Sequence, residues 1–122
     1  MSISPALNSR SKVILEGMLT VAKNVKNAYR ELEETYDIDW HMKFYADDNP
    51  VSSIAMAQIR STRDRIDSLQ VIESEAITAF TNYSTKLSKL RVEEDERGFE
   101  EALYRAQREY ERLAGDFTLF KK

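Results

Sequence analysis

PALNSRSKVILEGMLTVAKNVKNAYRELEETY, residues 5–36, is the stretch whose reading decides the fold. Leu7, Ile14, Met18, Val21, Val25, Ala28 and Leu32 recur at alternating intervals of three and four, with Ser11 in the one polar place. That spacing puts every apolar side chain on one stripe of an α-helix, sustained for about four heptads. Ser4-Pro5 supplies a start signal: the Ser hydroxyl can cap the first turn, and Pro fits where no amide hydrogen is needed. Gly17 lies off the stripe and reads as a tolerated helix weakness.

Working outward, Asp47-Asp48-Asn49-Pro50 repeats the start signal, and a second seam follows. Ile59, Ile66, Leu69, Ala76, Phe80, Tyr83, Leu87 and Leu90 carry it, with Thr62 and Glu73 at two seam places. A Glu there marks either a thin point in the core or a place open to a partner. Beyond Glu93-Glu94-Asp95-Glu96-Arg97-Gly98 a third seam runs through Phe99, Leu103, Ala106, Tyr110, Leu113, Phe117 and Phe120. It is out of phase with the second by two residues, so the chain either turns near Gly98 or rotates its apolar face. The turn is favoured, because a third helix folded back would cover the far end of a longer second one.

The expectation is a single all-α domain, an antiparallel three-helix bundle or long helical hairpin with coiled-coil-like packing. Its helices would span 5–36, 50–92 and 98–114, with an irregular connector at 37–49. Gly115 reads as a helix stop, leaving residues 115–122 as a short aromatic tail.

Composition narrows the function classes. Of 122 residues 32% are charged, with only three Gly and two Pro, as suits few, long elements. The absence of Cys removes thiolate chemistry and cysteine-based metal sites, and it suits a reducing compartment. No apolar run approaches the roughly 20 residues of a membrane span. The expected setting is therefore the cytoplasm, or a host cytoplasm or virion if the protein is viral. Net charge is −3 but falls in blocks: +4 over residues 1–30, −6 over 31–50, +2 over 51–92 and −3 over 93–122. Alternating blocks suit helices that fold on each other or on copies of themselves.

Reaction chemistry finds little support. His41 is the single histidine, and although Asp37, Asp39, Asp47 and Asp48 surround it, the spacing matches neither a di-iron nor an EF-hand site. No phosphate-cradling glycine loop exists. The chain is read as a non-enzyme with no cofactor and no metal. Arg60, Arg63 and Arg65 form a basic turn on the second helix that could contact phosphate, but without interleaved aromatics it reads as a solvated face. Nucleic acid is accordingly an unfavoured partner.

Protein contact is the favoured chemistry. Trp40, Phe44 and Tyr45 gather in the connector, and Phe99, Tyr110, Phe117 and Phe120 line the last seam. These seven are the candidate interaction residues. Asp116-Phe117-Thr118-Leu119-Phe120 resembles the Gln-Leu-Ser-Leu-Phe type of C-terminal peptide that docks on sliding DNA clamps, but it lacks the leading Gln. The preferred reading is that Phe117 and Phe120 finish the seam. The functional expectation is a helical interaction or assembly protein, a homo-oligomer or a subunit of a larger virion, secretion or replication machine. The alternatives are a small phage-type regulator that binds and inhibits a host enzyme or nucleoprotein complex, and a weak nucleic-acid binder acting through the turn at Arg60, Arg63 and Arg65.

Overall fold

The computed structural model describes residues 3–36 and 50–120, with side chains described over 3–34 and 56–120. The connector expected at 37–49 and the last two residues of the tail lie outside the described residues. Helix α1 spans Pro5–Tyr36, α2 spans Pro50–Val92 and α3 spans Glu96–Phe120. The three helices pack against each other in all pairings, and no strand occurs among the described residues. The architecture is an all-α bundle.

The seams account for the packing. Ile14, Met18, Val21 and Val25 of α1 are buried, as are Leu69, Ala76 and Leu87 of α2 and Phe99, Leu103, Ala106, Leu113 and Phe117 of α3. One core cluster draws on all three helices, and Leu7, Leu32, Phe80, Tyr83, Leu90, Tyr110 and Phe120 pack around it half-buried. Removing so much apolar surface from water is what holds an otherwise polar chain in one shape. At the start of α1 the Ser4 hydroxyl accepts from the Ala6 amide at 3.3 Å. Ile3, just ahead of this cap, is buried.

Cross-helix contacts fix the directions. Arg65 reaches the Phe120 carbonyl and Glu75 reaches Arg112, so numbers fall along α2 as they rise along α3. Leu7 and Arg10 lie beside Glu100, Leu103 and Tyr104, and Gly17 lies under Tyr110, so α1 and α3 run parallel. The chain therefore goes up, down and up. At about 1.5 Å per residue α1, α2 and α3 are roughly 48, 64 and 37 Å long.

The break between α2 and α3 falls earlier than the sequence places it. It occupies Glu93-Glu94-Asp95, and Glu94 takes a left-handed conformation with φ 57°. The Asp95 amide donates to the Leu90 carbonyl at 3.0 Å and the Glu94 amide to the Arg91 carbonyl at 3.2 Å. This pair of bonds is the Schellman closure, which satisfies the last carbonyls of a helix and usually employs Gly at the left-handed position. Asp95 then caps α3: its carboxylate accepts from the Gly98 amide at 2.9 Å. Gly98 is not the turning residue. It is inside the first turn of α3, where a Cβ would sit 2.5 Å from the capping carboxylate.

The expected stop at Gly115 is also corrected. Helix α3 continues through it to Phe120, and no glycine has positive φ. The physical reason lies downstream: Phe117 is buried in the core, and only a continued helix brings it there. Phe117 and Phe120 thus belong to the last seam, and residues 115–120 form no extended tail.

Candidate interaction surface

The polar groups that cross between helices are held by side chains the seams would not suggest. Glu73, the acid in the second seam, accepts a hydrogen bond from the Tyr29 hydroxyl across α1 and α2. That bond, together with burial, pushes the Tyr29 phenol up from 10.0 to about 12, because the carboxylate stabilises the protonated donor. Arg112 of α3 bridges to Glu75 of α2 at 3.0 Å and also meets Glu109 and Asp116 on its own helix. Its hydrogen bonds to Glu109 and Glu75 hold the guanidinium above its ordinary range. Arg65 donates to the Phe120 carbonyl from Nε at 3.0 Å and from its terminal nitrogen, closing the end of α3.

These contacts redistribute the candidate residues. Phe99 and Phe117 are buried inside the chain, and Tyr110 and Phe120 are half-buried against the same core. Tyr110 lies on Gly17, whose missing side chain lets the ring approach α1: a Cβ there would come within 2.6 Å of it. Gly17 is thus a contact point and not merely a weakness of the helix. Trp40, Phe44, Tyr45 and His41 lie outside the described residues. Of the basic turn, Arg60 and Arg63 are exposed, whereas Arg65 is half-buried and engaged with α3. The three therefore do not form one solvent-facing patch.

The surface feature that seam reading missed lies on the back of α2. Arg60, Asp64, Asp67, Val71, Ser74, Thr78, Thr81, Thr85, Ser88 and Val92 recur at alternating intervals of four and three. They form a second stripe of heptad spacing, opposite the core, and every one of them is exposed. Between Gln70 and Thr85 the only charged exposed residue is Glu75, which is tied to Arg112. Val71 and Ile77 are exposed there by 57% and 44%. The outer face of α1 carries Lys12, Glu16, Lys23, Lys26 and Arg30 beside exposed Val13 and Leu19, and that of α3 carries Glu100, Glu101, Arg105, Arg108 and Glu111 beside exposed Tyr104 and Leu119. Thr81 and Thr85 turn their hydroxyls back to the carbonyls of Ile77 and Thr81, at 3.0 Å each. That exposes their methyl groups and lowers the polarity of the face further.

A groove of about 380 Å³ flanks this stripe between α2 and α3, lined by Ser74, Glu75, Thr78, Ala79, Asn82, Tyr83, Glu109 and Arg112. Its walls combine Ala79 and Tyr83 with the hydroxyls of Ser74 and Thr78, the Asn82 amide and the Glu75–Arg112–Glu109 ion pairs. Among the described residues no three His, Cys, Asp or Glu side chains gather in a way that could hold a metal ion. Among the described residues no helix is long and apolar enough to cross a membrane.

Comparison with known proteins finds no matching family model, no matching curated protein and no matching solved structure.

Proposed function

We propose that this chain is a non-enzymatic interaction protein, a helical bundle that binds a protein partner through the back of α2. The observation that supports this reading is the exposed stripe Val71, Ser74, Thr78, Thr81, Thr85 and Ser88, none of them charged, in a chain that is 32% charged. A helix that only faces water gains solubility from charge on its outer side. Here the outer sides of α1 and α3 are charged and the middle of α2 is not. Desolvating Thr, Ser, Val and Ile is far less costly than desolvating Lys or Glu, and the centres of protein interfaces are depleted in charge for that reason.

The test compares two surfaces of the same chain. Val71→Glu with Ile77→Glu charges the α2 face; Asn24→Glu with Asn27→Glu adds the same charge to the α1 face. All four positions are exposed, so both pairs should fold, as circular dichroism and thermal melting can verify. Binding, to itself or to a captured partner, should be lost with the α2 pair and kept with the α1 pair. Equal effects of the two would remove the support for the α2 face.

A further inference from the structure

We draw no further inference here: the strongest candidate, the exposed uncharged stripe on the back of α2 from Val71 to Ser88, belongs to the surface already described, and nothing in the structure shows what covers it.

Discussion

Tyr29 and Glu73 show how a polar residue can occupy a seam without opening it. The phenol donates to the carboxylate between α1 and α2, so the acid is carried in the packing by one specific partner. Tyr29→Phe removes that donor and should destabilise the fold by about 1–2 kcal/mol in urea melts. Combining it with Glu73→Leu replaces both partners by apolar groups and should recover most of the loss. Because the Tyr29 pKa is raised to about 12 from 10.0, the contribution is full below pH 10 and disappears as pH rises through 12. Wild type should therefore lose stability over that window more steeply than the Glu73→Leu variant. Two glycines give a contrasting pair of outcomes. Gly115 is helical with nothing within 4 Å of a built Cβ, so Gly115→Ala should stabilise by about 1 kcal/mol. Gly17→Ala meets the Tyr110 ring, so overpacking should offset the same helix gain and leave it about 1–3 kcal/mol less stabilising than Gly115→Ala. A double-mutant cycle with Tyr110→Leu should show the two positions strongly coupled.

At the scale of elements, the helices were legible because seam period and cap chemistry agree. Ser4-Pro5 and the run from Leu7 to Leu32 each point to α1, and the phase shift after Leu90 points to a turn. The position of that turn was hidden because the residue in the left-handed conformation is Glu94, where sequence habit expects Gly. Gly98 drew attention instead, although its role is to let the Asp95 carboxylate lie close. The signal that would have placed the break is Asp95 read as an N-cap, three residues ahead of Gly98 and immediately before a helix former. Left-handed φ costs a non-glycine residue about 1–2 kcal/mol. Glu94→Gly should accordingly raise stability by about 1 kcal/mol without altering the fold, and Asp95→Ala should lower it by about 1 kcal/mol through loss of the cap. Chemical denaturation of the two variants beside wild type measures both. The end of α3 is hidden in the sequence for a related reason: Gly115 resembles a stop, and burial of Phe117 carries the helix past it.

For the whole molecule, heptad spacing carries two messages, and only one was read. The inner stripes build the bundle, and their apolar residues stand out in sequence. The outer stripe of α2 has the same period, but from Val71 to Ser88 it is made of Val, Ser and Thr, so it is legible only as uncharged residues at the stripe places, with Glu73 and Glu75 lying off it. Seeing that stripe requires knowing which side of the helix faces water, and the structure supplies this. The aromatic candidates Phe99 and Phe117 went the other way, from proposed contacts to buried core. Arg112, linking α2 to α3 beside the groove, is half-exposed; Arg112→Ala should cost no more than about 1 kcal/mol in thermal melts, and less at high salt. The central claim is that the back of α2 is the protein-binding face, and site-specific cross-linking reaches it directly. The chain has no Cys, so one photoreactive label can be placed at Thr78→Cys on α2 or at Lys23→Cys on α1, both exposed sites. The label at 78 should join the chain to a protein, a copy of itself or a foreign one, and the label at 23 should not. Equal cross-linking from both sites, or none from 78, contradicts the account.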